Sequence, residues 1–111
     1  MHNTNNMQEI TVTELKNWID GGEDFLLVDV RENLEYETGN LNGLHIPMGT
    51  IIDRLDEIPT DKKVVIHCKS GGRSGNVIRY LSAEKGYTNL YNLQGGITAW
   101  KNQIDPTVQV L

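Results

Sequence analysis

The chain has 111 residues, 38% of them hydrophobic, and a net charge of −5. That length holds one compact domain, and the acidic balance excludes nucleic acid as a general partner. Its single cysteine can neither close an internal disulfide nor build a zinc-type cluster, which points to a reducing compartment.

Residues 1–7 are polar and Asn-rich and read as a flexible tail ahead of a domain over 8–103. They lack the basic and apolar regions of a secretory signal, and no apolar run approaches the roughly 18–20 residues of a membrane span. The expected location is therefore the cytoplasm, away from membranes. Residues 8–12 form a strand candidate. Leu15, Trp18 and Ile19 then follow helical spacing over 14–20, with Thr13 as N-cap and Gly21-Gly22 as the stop. Residues 25–30 are apolar except for Asp29, as suits a parallel strand buried on both faces. A short helix is expected over 32–38, ended by Gly39, and a loop over 39–47. The acidic stretch 35–37 reads most simply as a solvated face.

Ile51, Ile52, Leu55 and Ile58 give 51–58 a helical pattern closed by Pro59. Residues 63–67 form a β-branched strand ending at Cys68. Beyond a glycine-rich loop, Val77, Ile78 and Leu81 mark a helix that Gly86 terminates. Residues 90–93 are a last strand, Gly95-Gly96 opens a helix with Ala99 and Trp100, and 104–111 reads as a C-terminal tail. Alternating short strands and helices predict an α/β domain with a mostly parallel central sheet of four to five strands, flanked by helices on both faces.

In such sheets ligands bind beyond the carboxyl ends of the strands, and Cys68 stands at one. A free thiol is only a few per cent thiolate at neutral pH. Lowering its pKa by about two units takes roughly 2.7 kcal/mol of anion stabilisation. Amides of a loop curled round the sulfur, together with a helix N-terminus, supply that. Gly71 and Gly72 permit such a loop, no proline interrupts 68–75, and Lys69 and Arg73 add positive charge. Arg73 has the fork that grips an oxyanion in a bidentate way. Ser74 reads first as the N-cap of the next helix. His67 reads as a structural histidine, because neighbouring strand residues point to opposite faces. His45 is expected in a loop or the core. Cys68, His45 and His67 have no metal-site spacing, and no cofactor is implied.

Four stretches taken in order resemble a single-domain rhodanese: LLVDVRE (26–32), EYETGNLNGLHIP (35–47), VVIHCKSGGRS (64–74) and LYNLQGGITAW (90–100). Asn40 departs from the family's usual histidine. The resemblance implies a sulfurtransferase in which Cys68 takes sulfur from thiosulfate or a similar anionic donor. Its persulfide then serves cyanide, a thiol or a protein acceptor. Lys69, Ser70, Gly71, Gly72, Arg73 and Ser74 would bind the substrate, with Asp29 and Arg31 in support. A persulfide carrier in a protein relay is the alternative. A cysteine-based phosphatase would need five residues between Cys and Arg, where this loop has four.

Overall fold

The computed structural model describes residues 7–111. Five parallel strands form one sheet in the order β1-β5-β4-β2-β3. They are β1 (Gln8–Ile10), β2 (Phe25–Asp29), β3 (Leu44–His45), β4 (Lys63–His67) and β5 (Leu90–Leu93). The helices are α1 (Val12–Asp20), α2 (Asn33–Thr38), α3 (Gly72–Lys85) and α4 (Gly96–Gln103). None is long and apolar enough to cross a membrane among the described residues.

Side chains alternate across the central strands and so build two cores. Val28, Val64 and Ile66 face Val77, Ile78 and Leu81 of α3. Leu27, Val65 and Leu93 face Val12 and Leu15 of α1 and Trp100 of α4. The sheet is thus covered on both faces, which explains why β2 and β4 read as unbroken apolar runs rather than alternating ones.

Several expected elements shift. The first strand stops at Ile10, and α1 begins at Val12, capped by Thr11 instead of Thr13. Thr11 Oγ1 accepts from the Glu14 amide (3.1 Å), while Glu14 Oε1 accepts from the Thr11 amide (2.9 Å). That reciprocal box satisfies two orphan donors and fixes the start. The helical pattern over 51–58 becomes a 3-10 segment, Ile52–Glu57, broken at Arg54 (φ −125°) and preceded by a 3-10 turn, Met48–Thr50. Ile51 and Ile58 are buried and Leu55 packs against the core, whereas Ile52 is exposed. The expected 39–47 loop contains the edge strand β3.

The loose tail expected over 1–7 lies, for residues 1–6, outside the described residues, whereas Met7 packs on the α3-side core. Part of the expected C-terminal tail is packed: Ile104 and Val108 lie on the α1–α4 core, while Leu111 is exposed. Lys101 Nζ donates to the carbonyls of Pro106 (2.9 Å) and Val108 (2.7 Å). Gln109 runs so close to Gly39 that a Cβ there would collide with its backbone.

Register positions the site. Asp29 lies opposite both His45 and His67, so three strands end level, and Cys68 follows directly on β4, the middle strand of the sheet.

Candidate active site

β4 delivers Cys68 to the carboxyl edge of the sheet, where the chain must turn sharply into α3. Gly71 makes the turn with φ +112°, a backbone conformation that side chains other than glycine's rarely allow. It also caps α3. The loop then closes on the sulfur. The amides of Gly71 (3.2 Å) and Ser74 (3.4 Å) donate to Cys68 Sγ, and Ser74 Oγ lies 3.4 Å from it. Cys68 is only 1% exposed. Burial pushes the thiol pKa up, but the Ser74 hydroxyl and the amides of Ser74, Gly71 and Ser70 together hold it below the ordinary thiol value.

Ser74 is therefore not the helix N-cap expected from sequence. It is the third residue of α3, buried, with its hydroxyl turned into the site. Asn92 on β5 holds it there. Ser74 Oγ, with one proton to give, lies 2.6 Å from Asn92 Oδ1 as well as 3.4 Å from Cys68 Sγ, and Asn92 Nδ2 donates to the Gly71 carbonyl (3.1 Å). A carbonyl can only accept, which fixes the orientation of the Asn92 amide. Sequence reasoning passed over Asn92, although a lone amide inside the apolar strand LYNL was the signal to follow.

The outer side of the loop is pinned by α4. Ile97 N donates to the Cys68 carbonyl (3.0 Å) and Thr98 N to the Lys69 carbonyl (3.1 Å). These contacts need Gly96 at φ +57°, where a Cβ would stand 2.5 Å from both carbonyl oxygens. Carbonyls thus face the helix and amides face the sulfur, making a concave anion-holding nest. Lys69, Ser70 and Gly72 are exposed at its rim.

Arg73 does not stand open. Its Nη1 and Nη2 donate to Glu35 Oε1 (2.7 Å) and Oε2 (2.9 Å). Glu35 is thereby corrected from a solvated-face residue: its side chain is 14% exposed against 33% for Arg73. The same carboxylate accepts from the Glu32 amide (3.0 Å) at the start of α2. The Arg73 bonds hold its pKa down at about 2 despite partial burial, with the Glu32 amide and the charges of Arg73 and Arg31 adding to the effect.

Asp29 and Arg31 form a second ion pair, with both side chains 0% exposed. Arg31 Nε and Nη2 donate to Asp29 Oδ1 (2.9 Å) and Oδ2 (2.7 Å), and Nη2 also reaches the Gly39 carbonyl (2.8 Å). Burial pushes the Asp29 pKa up, yet the Arg31 bonds and the neighbouring His67 leave it below the ordinary value. Neither residue touches the sulfur. His67 Nδ1 is 3.3 Å from the Cys68 carbonyl, while its Nε2, 3.6 Å from Asp29 Oδ2, makes no hydrogen bond among the described residues. Burial outweighs the Asp29 charge and lowers the His67 pKa, so its ring is a neutral structural element.

The other singled-out residues serve the connection after α2. His45, on β3 instead of in a loop, stacks on Tyr36 (ring centroids 4.4 Å apart) and its Nε2 lies 2.7 Å from the Arg31 carbonyl. Asn40 donates to the Tyr36 carbonyl (3.0 Å) and accepts from the Asn42 amide (2.9 Å). Its side chain is used to fold the loop.

The arrangement can hold a sulfur anion at a buried cysteine and present its outer face to a substrate. Comparison with known proteins agrees. A family model described as "Rhodanese-like domain" matches residues 11–103. A protein named "Sulfurtransferase" from Allochromatium vinosum is 41% identical over 103 residues, covering 92% of this chain and 95% of the relative. "Putative sulfurtransferase YtwF" from Bacillus subtilis is 38% identical over 101 residues, covering 90% and 96%. The crystal structure of a rhodanese-like domain protein from Staphylococcus aureus superposes with a TM-score of 0.79 at 34% identity, covering 95% and 99%. With its parallel sheet, sulfur-holding loop and these relatives in agreement, the chain belongs to the rhodanese-like domain family and is of the sulfurtransferase type.

Proposed function

We propose that Cys68 carries sulfane sulfur as a persulfide, received from thiosulfate or a related donor and passed to a thiol, a protein acceptor or cyanide. The observation that carries this reading is the nest of Gly71 and Ser74 amides around Cys68 Sγ. In the first half-reaction the Cys68 thiolate attacks the outer sulfur of thiosulfate. A new S–S bond forms, the old one breaks, and its electron pair leaves with sulfite. In the second, an acceptor thiolate attacks the outer sulfur of Cys68–S–S⁻, and the pair returns to Cys68 as thiolate. Both halves keep an anion within the loop, so the amides that favour the thiolate also favour the loaded state. Asp29 and Arg31 support the loop by fixing the carboxyl end of β2, which lies beside that of β4. The expected location is the cytoplasm.

The four-residue spacing from Cys68 to Arg73 supports sulfur over phosphoryl chemistry, since the smaller ring crowds a tetrahedral group. A protein acceptor would make the domain a carrier in a relay, with the same loop and the same intermediate.

Intact mass after incubation with thiosulfate tests the persulfide. A gain of about 32 Da, removed by dithiothreitol and absent in Cys68→Ser, is expected. A wild-type protein that gains no sulfur from thiosulfate or from a persulfide overturns the reading. So does Cys68-dependent turnover of an aryl phosphate at rates above its sulfur transfer.

A further inference from the structure

The mouth of the site lacks the charge that a small dianion requires. Arg73, the cation best shaped to grip an oxyanion, already makes two parallel bonds to Glu35 (2.7 and 2.9 Å), a bidentate charge-assisted pair that offsets its charge at close range. Glu35 is itself fixed, because its Oε1 also accepts the Glu32 amide (3.0 Å). Glu32 adds a second negative charge acting on Arg73. Two cations, Arg73 and Lys69, therefore stand against two carboxylates, Glu35 and Glu32, while Arg31 is neutralised in the interior by Asp29 (2.7 Å). The chain's net charge of −5 adds repulsion at long range.

We propose that Glu35 is a specificity-determining residue of the donor step, holding Arg73 against its carboxylate so that the site disfavours dianionic thiosulfate and takes sulfur from a persulfide of low charge. This rests on the sulfurtransferase reading above and names its donor class. The chemistry balances without another reagent: the Cys68 thiolate attacks the outer sulfur of R–S–SH, Cys68–S–SH forms, and R–S⁻ leaves with the electron pair of the broken S–S bond. No sulfonate has to be seated. Thiosulfate, by contrast, must either displace Glu35 from Arg73 or approach a mouth without net positive charge.

The test compares loading of Cys68 by thiosulfate and by cysteine persulfide generated in situ, in wild type, Glu35→Gln and the double variant Glu35→Gln/Arg73→Ala. Glutamine keeps a carbonyl for the Glu32 amide, so α2 stays capped, as far-ultraviolet circular dichroism will confirm. Glu35→Gln should raise kcat/KM for thiosulfate by about tenfold, with the gain in KM and sensitive to added salt. Cysteine persulfide should change by less than about threefold, and the thiosulfate gain should vanish in the double variant. Thiosulfate turnover that falls or stays level in Glu35→Gln overturns the inference, as does an equal gain for both donors or a gain that survives loss of Arg73. These outcomes are separable from failure of the parent reading. If neither donor loads wild type or Glu35→Gln, the persulfide mechanism itself falls. If wild type loads and the donor ratio does not move, only the role of Glu35 falls.

Discussion

Two arginine–carboxylate pairs flank the cysteine, and they are built for different tasks. Asp29–Arg31 is 0% exposed on both sides, bonded through several hydrogen bonds and tied to the Gly39 carbonyl. Glu35–Arg73 is as close, at 2.7 Å, but its arginine is 33% exposed. The interior pair cannot exchange partners with a ligand, and breaking it leaves a bare charge in the core. The rim pair can re-solvate when broken, so its worth lies in which charge it offers to an approaching molecule. Geometry alone does not separate the two. Burial does.

The largest expected effect breaks the interior pair. Arg31→Ala should cost about 3–5 kcal/mol, because Asp29 is left charged and unpaired in the core. Urea unfolding would show this as a lower midpoint at unchanged slope. A loss below about 1 kcal/mol would mean that Asp29 simply takes up a proton or water.

Acid sharpens the contrast next. His67 is buried beside Asp29 with its pKa depressed from 6.5. The unfolded chain therefore binds the proton first, and stability present above pH 6.5 is lost as the pH falls below it. The slope for this one group approaches about 1.4 kcal/mol per pH unit, and His67→Gln should remove it. Glu35 at the rim behaves differently, because its pKa falls from 4.5 to about 2. Its contribution is complete above pH 4.5 and is lost only as the pH falls toward 2. Unfolding midpoints measured from pH 7.5 downward should show the histidine step first.

The smallest effect on stability belongs to the rim. Arg73→Ala should change the unfolding free energy by about 1 kcal/mol or less, as for other partly exposed pairs. Sulfur transfer should fall far more than stability. Equal losses in both would place Arg73 among the residues that hold the fold.

Much of this architecture is legible in the amino-acid sequence. β4 and β5 match their sequence-based bounds at Lys63–His67 and Leu90–Leu93; β4, covered on both faces, declares itself by an unbroken apolar run, and β5 by an apolar stretch interrupted only by Asn92. The two-residue β3 left no such trace, since its pairing depends on β2 and not on any pattern of its own. The 3-10 course of Ile52–Glu57 shares its apolar spacing with an α-helix and could not be told from one by periodicity. In the site, Cys68 and its glycines were readable from local chemistry. Glu35 was not, because its partner lies 38 residues away and an acidic stretch looks alike in solvent or in a pair. Ser74 reads from the sequence both as a helix N-cap and as part of the binding loop; Gly71 takes the cap, which leaves the Ser74 hydroxyl for Cys68 and Asn92.

The bonds from Ile97 and Thr98 to the carbonyls of Cys68 and Lys69 carry a consequence for motion. The loop cannot swing away from its sulfur unless the first turn of α4 detaches as well. That helix is anchored by Trp100 in the α1–α4 core. Local opening of residues 68–74 is thereby coupled to loss of a core element, and its free energy should approach that of global unfolding. The amide of Gly71 should exchange its hydrogen with solvent nearly as slowly as those of β4, even though its neighbours Ser70 and Gly72 are exposed. A nest this rigid is set before any donor arrives and loses little entropy when the sulfur is loaded.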